Sequence, residues 1–165
     1  MPDANGNLLG IEEFHDGLRI RLVSAIDANM VAGFHQTRDS PAPWAAVNMR
    51  SDNEAWSFFT IRRRLPRGRD VPNAFALETS YILNGNPGLL AWVDGGMSMV
   101  TADDWRGSIV FTVDMLDGGC WFALNNQDRS RVLDVDHGRT DRYTHLLAFK
   151  WNGGDNQRWR AEIVK

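Results

Sequence analysis

The sequence has almost no cysteine, a small net charge and no long apolar run. Cys120 is the single cysteine among 165 residues, which excludes an intramolecular disulfide. No apolar stretch approaches the roughly 18 residues that a membrane helix needs, and the first residues lack the basic start and apolar run of a secretory signal. We therefore expect a protein that does not insert into membranes and that is cytoplasmic, or exported without a signal peptide.

The charge balance argues against one class of partner. Lys and Arg number 18 against 21 Asp and Glu, which gives a net charge of −3. Nucleic-acid binding driven by overall positive charge is therefore not expected. A composition of 43% apolar and 24% charged residues is typical of a folded globular chain, and the length fits a single domain over residues 1–165.

Helical periodicity is also scarce. Only residues 7–14 and 42–47 are helix candidates, and both segments are short. Strand-like segments bounded by turn residues are far more frequent, which predicts an all-β protein. The predicted strands are 18–24, 56–61, 73–79, 88–93, 108–114, 120–125, 131–135, 146–150 and 159–164.

Three parts of the chain share one spacing. In each, a leucine in a strand-like segment is followed 34 or 35 residues later by a large aromatic residue. The leucines are Leu22, Leu77 and Leu124, and the aromatic residues are Trp56, Phe111 and Trp159. The spacing predicts three pseudo-repeats of about 50 residues, at roughly 17–65, 70–117 and 118–165. Four strands from each would close into a barrel with a hairpin cap, a β-trefoil, with the aromatic residues in its core.

The third repeat contains the most specific motif. It has Leu-Asp-Val at 133–135 and, about two dozen residues later, Gly-Gly-Asp-Asn-Gln-Arg-Trp at 153–159. This combination resembles the QxW repeat of ricin-B-type β-trefoil lectins, across residues 120–164. The first repeat matches in part, at 53–56, and the second only in spacing. The resemblance implies a non-catalytic carbohydrate-binding protein of the defence type, with galactose or N-acetylgalactosamine glycans as partners.

The resemblance also implies a set of site residues. Asp134 would accept hydrogen bonds from two sugar hydroxyls, which a carboxylate does more strongly than a neutral acceptor. Phe149 would stack on the apolar face of the ring, although the family has Trp or Tyr at this position, so a polar atom is lost. Asn156 would donate and accept hydrogen bonds, and Gln157 would brace Asp134 or the loop.

Two further residues are expected to line the pocket, namely the His137 side chain and the backbone near Leu147. No cofactor and no metal are expected. The spacing of Asp134, Asp136 and Gly138 is similar to a calcium loop, but His145 stands where that loop needs Glu.

The other repeats lack the same residues. Residues 31–34 contain no carboxylate, and Ala46 and Thr101 stand at the stacking positions, unless Trp44 or Trp105 substitutes for them. We therefore predict one competent site per chain. Weak binding at a single site would gain avidity from a homodimer.

Several alternatives remain open at this point. Asp134 is also a typical turn-capping residue, and Gln157 could be wholly structural. A protein-binding β-trefoil, such as a protease inhibitor, would use surface loops, for which residues 36–44 and the arginine-rich 62–69 are candidates. The second of these segments is also explained as a solvated linker. No motif supports an enzyme.

Overall fold

The computed structural model describes residues 2–36, 41–47, 57–65, 71–83, 85–93, 96–102, 108–116, 119–138 and 144–164. For residues 34–36, 41–47 and 83 it describes the backbone alone. The strands are β1 (Arg19–Ser24), β2 (Met30–Gln36), β3 (Pro41–Val47), β4 (Phe59–Arg62), β5 (Ala76–Leu83), β6 (Asn86–Val93), β7 (Gly96–Val100), β8 (Thr112–Met115), β9 (Phe122–Asn125), β10 (Val132–Val135), β11 (Thr144–Phe149) and β12 (Trp159–Ile163). Short 3-10 turns lie at Ile11–Glu13, Asp136–Gly138 and Asp155–Gln157.

The described chain is all-β, as the sequence predicts. The helix expected at 42–47 is wrong, because these residues belong to β3. All seven residues of β2 face a residue of β3, from Met30 opposite Val47 to Gln36 opposite Pro41. This pairing outweighs the local helical preference of an alanine-rich segment. Of the helix expected at 7–14, only a single 3-10 turn forms.

Six strands pair in a closed ring. The ring runs β1, β4, β5, β8, β9, β12 and back to β1, with every pairing antiparallel. β5 and β8 meet through a bridge between the preceding residues, where the N–H of Phe75 donates to the carbonyl of Phe111 at 3.0 Å and the reverse bond is 2.8 Å. Such a ring leaves none of its strands with an unpaired edge.

The remaining strands form the hairpins β2–β3, β6–β7 and β10–β11. β11 pairs with β3 at Thr144 opposite Ala45 and with β7 at Leu147 opposite Gly96. The hairpin β10–β11 is therefore held by both of the other hairpins. Among the described residues, no helix is long and apolar enough to span a membrane.

Aromatic residues fill the core. Phe111 and Trp159 are fully buried, as the repeat spacing predicts, whereas Trp56 lies outside the described residues. The rings of Phe75 and Phe111 stack at a centroid distance of 6.3 Å. The indole N–H of Trp159 donates to the carbonyl of Leu133 at 3.0 Å. This bond ties the start of β12 to β10, one residue before Asp134.

Candidate functional site

The hairpin β10–β11 presents a polar and an apolar side chain to the same region. Asp134 lies opposite Leu147 in the hairpin register, and Val132 lies opposite Phe149. Along β11 buried and more exposed residues alternate, so that Leu147 and Phe149 share the outer face. Phe149 is 50% exposed, whereas Asp134 is only 4% exposed. A buried carboxylate thus lies beside an exposed aromatic ring.

Two side-chain amides hold the Asp134 carboxylate. Asn156 Nδ2 donates to Oδ1 at 2.8 Å, and Gln157 Nε2 donates to Oδ2 at 2.8 Å. Each carboxylate oxygen keeps a second lone pair, so the group can accept further hydrogen bonds. Burial raises the pKa of Asp134, the two amides lower it, and the charges of Asp136 and His137 act in opposite directions, with a net rise.

Gln157 lies behind the site. It is fully buried, and its Nε2 also donates to the carbonyl of Lys150 at 2.7 Å. Its Oε1 accepts from the N–H of Asn152 at 2.7 Å. Gln157 therefore braces both Asp134 and the loop at residues 150–152, as the resemblance implies, from a position behind the site.

The Gly-Gly pair shapes the loop that carries Asn156. Gly153 has a φ of 80°, which favours glycine. At Gly154 a Cβ would lie 2.4 Å from Asn156 Oδ1 and 3.1 Å from Asn152 Oδ1. The N–H of Gly154 donates to Asn152 Oδ1 at 2.9 Å. The missing side chain at 154 is what lets the two Asn side chains occupy their positions.

A tight turn after β10 forms the rim. His137 has a φ of 53°, in the left-handed region, and its Nδ1 contacts Asp136 Oδ1. The His137 side chain is largely exposed, whereas Asp136 is partly buried. The turn thus places a second carboxylate and an imidazole at the edge of the site.

These elements enclose a cleft of about 200 Å³. Its lining residues are Asp134, Asp136, His137, Leu147, Phe149, Asn152 and Asn156. The structure therefore brings together all six residues expected from the sequence, five in the cleft wall and Gln157 behind it. The binding role of each remains a prediction.

Two lining residues were not assigned to the site by sequence analysis. Asp136 was considered only as part of a calcium-like spacing, and Asn152 was not considered at all. The signal for Asn152 was its place two residues before Gly154, where its side chain can accept from the backbone. Within the described ranges, no cluster of three or more His, Cys, Asp or Glu could hold a metal ion.

A second hollow lies elsewhere and is larger, at about 490 Å³. Its described lining residues are Ser108, Asn126, Gln127 and Asp128. None of these four described residues is aromatic or apolar.

The alternatives for single residues can now be judged. Asp134 lies inside β10, and its hydrogen-bond partners among the described residues are the side-chain amides of Asn156 and Gln157, not the backbone of a turn. Strands β2 and β6 contain no carboxylate. The side chains of Trp44 and Ala46, and all of Trp105, lie outside the described residues.

The arginine-rich segment is described only in part. Arg62 Nε and Nη2 donate to the two carboxylate oxygens of Glu78, at 3.1 and 3.0 Å. This first arginine is therefore engaged within the fold. Residues 66–70 and 37–40 lie outside the described residues, so the loops considered for protein binding are not tested.

No family model and no curated protein sequence matches the chain. Several solved structures, in contrast, are similar to the chain. A mosquitocidal holotoxin is similar over 92% of this chain, with 16% identity and a TM-score of 0.74, and this chain spans only 18% of that toxin. The BEL β-trefoil is similar over 91% of this chain and 95% of its own, with 19% identity and a TM-score of 0.67.

A third similar structure is the C-terminal half of an earthworm R-type lectin in complex with GalNAc. It covers 89% of this chain and 99% of its own, with 13% identity and a TM-score of 0.62. At sequence identities this low, the similarity shows a shared fold and nothing about function. Together with the closed antiparallel ring and its three hairpins, these similarities identify the chain as a protein of β-trefoil fold.

Proposed function

We propose that the chain is a carbohydrate-binding protein that takes one sugar residue into the cleft formed by the hairpin β10–β11 and the loop that follows it. The observation that carries the proposal is the pairing of Asp134 with Phe149. A buried carboxylate is oriented by two amides, and a half-exposed aromatic ring lies on the neighbouring strand.

The two groups match the two faces of a sugar. A pyranose has an apolar C–H face, which stacks on an aromatic ring, and a rim of hydroxyls, which seek acceptors. Asp134 is fixed before the ligand arrives, so little orientational freedom is lost on binding. Asn156 and Asn152 add amide groups at the same rim.

Galactose or N-acetylgalactosamine is the proposed sugar. The resemblance of residues 120–164 to ricin-B-type repeats supports this choice, as does the GalNAc complex of the structurally similar earthworm lectin. The amides hold Asp134 as a fixed acceptor, which is what binding requires, and we propose no catalytic step.

The proposal also interprets the fold as three repeats of four strands, with the hairpins as a cap. The sequence of hairpins β2–β3, β6–β7 and β10–β11 supports this division. Only the third repeat combines a carboxylate on the first hairpin strand with an aromatic residue at the stacking position. One weak site per chain makes a homodimer, or a ligand surface with many copies of the sugar, the expected route to avidity.

A glycan array tests the proposal. Labelled wild-type protein should bind structures with terminal galactose or N-acetylgalactosamine, with an affinity of about millimolar to micromolar for a single site. Asp134→Ala and Phe149→Ala should both lose the signal. Ile82→Ala, which removes an exposed apolar side chain on β5, is the matched control and should bind as the wild type does.

The Phe149→Ala variant also separates loss of binding from loss of folding. The Phe149 side chain is half-exposed, so its removal should leave the melting temperature nearly unchanged. A folded wild-type protein that binds nothing on the array contradicts carbohydrate binding. Binding that survives in both cleft variants contradicts the location of the site.

A further inference from the structure

We propose that Trp151 forms a second stacking platform, beside the cleft, for the next sugar residue of an oligosaccharide. The inference rests on the proposed carbohydrate-binding function and extends it to the size of the ligand.

Trp151 is exposed where most large apolar residues are buried. It is 45% exposed, two residues after the half-exposed Phe149. Among the described residues, the large apolar side chains that are at least 36% exposed are Leu9, Ile82, Met115, Phe149 and Trp151. Two of these five therefore lie within three consecutive residues, between Phe149 and Asn152, which both line the cleft. An exposed aromatic cluster at a polar site is typical of a binding surface.

The backbone on both sides of Trp151 is clamped. The carbonyl of Lys150 accepts from Gln157 Nε2 at 2.7 Å, and the N–H of Asn152 donates to Gln157 Oε1 at 2.7 Å. These two groups belong to the peptide units that flank Trp151. Because Gln157 is fully buried, the clamp is anchored in the protein interior. The indole is therefore exposed on a fixed support and not on a loose segment.

The clamp supports both the cleft and the segment beside it. Bracing Asp134 uses one N–H of the Gln157 amide, and the other polar contacts of that amide fix the segment around residue 151. A preorganised aromatic side chain binds a ligand with little loss of conformational freedom. The geometry thus serves presentation of Trp151 as well as support of the carboxylate.

The size of the cleft explains why a second platform is needed. At about 200 Å³ it is smaller than the roughly 300–1,000 Å³ of sites for drug-sized ligands. It has room for one ring, so a second sugar residue must lie outside. Trp151 follows Phe149 along the chain and precedes Asn152, both of which line the cleft. Its indole is the nearest exposed aromatic surface in sequence beyond the cleft wall.

The test compares sugars of increasing length. Titration calorimetry would measure the affinity of the wild type for methyl β-galactoside, for lactose and for galactose-terminated trisaccharides. One aromatic platform should make the best oligosaccharide bind about two- to tenfold more tightly than the monosaccharide. Trp151→Ala should remove that gain and leave monosaccharide affinity unchanged, whereas Trp151→Phe should keep much of it.

Ile82→Ala, which removes an exposed apolar side chain far along the sequence, is the control and should retain the gain. A gain that persists in Trp151→Ala overturns the inference. So does an equal loss of monosaccharide and oligosaccharide affinity, which would place Trp151 in the primary cleft or in a structural role. A wild type that binds monosaccharide without any gain also overturns it and leaves the proposed function intact. Failure of the wild type to bind any sugar refutes the proposed function itself.

Discussion

Two opposing effects act on Asp134. Burial penalises the charged carboxylate and raises its pKa, whereas the amides of Gln157 and Asn156 favour the charged form. Burial is the largest effect, so the pKa in the folded protein lies above its ordinary value. Burial of the Asp134 carboxylate therefore lowers the stability of the fold when the group is charged. Ionisable groups with shifted pKa values are common at functional sites.

This shift predicts a pH dependence of stability. A carboxyl group with a raised folded-state pKa stabilises the protein most below its unfolded-state pKa, and this contribution is lost as the pH rises through the folded-state value. Relative to Asp134→Asn, the wild type should lose unfolding free energy across that interval and run parallel above it. Urea denaturation from acidic to neutral pH measures the difference, and a wild type that gains stability over the interval contradicts the assignment.

Gln157 is the most connected polar residue of the site. Gln157→Ala should lower the free energy of unfolding by about 2–4 kcal/mol, because it leaves buried partners on Asp134, Lys150 and Asn152 unsatisfied. The exposed Gln127→Ala is the matched control, with an expected change below about 0.5 kcal/mol. Chemical denaturation measures the free energy of unfolding of both variants. A loss below about 1 kcal/mol for Gln157→Ala would contradict the prediction and show that the three hydrogen bonds of Gln157 stabilise the fold only weakly.

At the scale of the element, the loop between β11 and β12 sets the position of Asn156. Gly154→Ala should weaken sugar binding with little effect on the melting temperature. The new Cβ displaces Asn156 Oδ1, the far end of a side chain, and so disturbs the bond from its amide to Asp134.

Gly153→Ala supplies the contrast. No atom lies within 4 Å of a Cβ at this position, but φ is 80°. It should lower stability by about 1–2 kcal/mol through backbone strain and preserve more of the sugar affinity. Calorimetric titration and thermal denaturation of the two variants separate these effects. Equal affinities in the two would contradict the steric role of Gly154.

Strands β10, β11 and β12, which carry the site, were predicted from the sequence more accurately than the hairpins β2–β3 and β6–β7. β10, β11 and β12 appear within a few residues of their predicted bounds, because alternating apolar residues and adjacent turns mark them. β2 and β7 were not predicted, since Gly, Ala and Met give them little strand signal and cross-strand pairing alone determines them.

Only those residues of the cleft that belong to the sequence motif could be predicted. Asp134, Phe149 and Asn156 are implied by the resemblance of residues 120–164 to the ricin-B-type repeat. Asp136 and Asn152 could not be assigned, because their directions depend on the left-handed backbone of His137 and on the bond from Gly154 to Asn152. Such turn conformations leave little trace in a single sequence.

At the scale of the whole molecule, closure of the sheet leaves the outer face of the hairpin β10–β11 free of any role in closing the ring. The ring of six strands and the buried aromatic residues form most of the core, and the inner faces of β10 and β11 add Leu133, Val135 and Leu146 to it. The outer face of the hairpin β10–β11 can therefore carry a buried carboxylate and an exposed aromatic ring, the two groups that the proposed function requires. A single sugar site per chain is therefore expected, on that hairpin and the loop that follows it.

A titration of isotope-labelled protein with N-acetylgalactosamine, followed by backbone amide NMR, tests this claim most directly. Saturable shifts are expected at residues 132–138 and 147–158, with smaller ones at the residues of β3 and β7 that pair with β11, and they should fit one site per chain. Shifts elsewhere in the hairpins β2–β3 or β6–β7, a stoichiometry of two or three, or no shift at high sugar concentration would contradict a single site on the hairpin β10–β11.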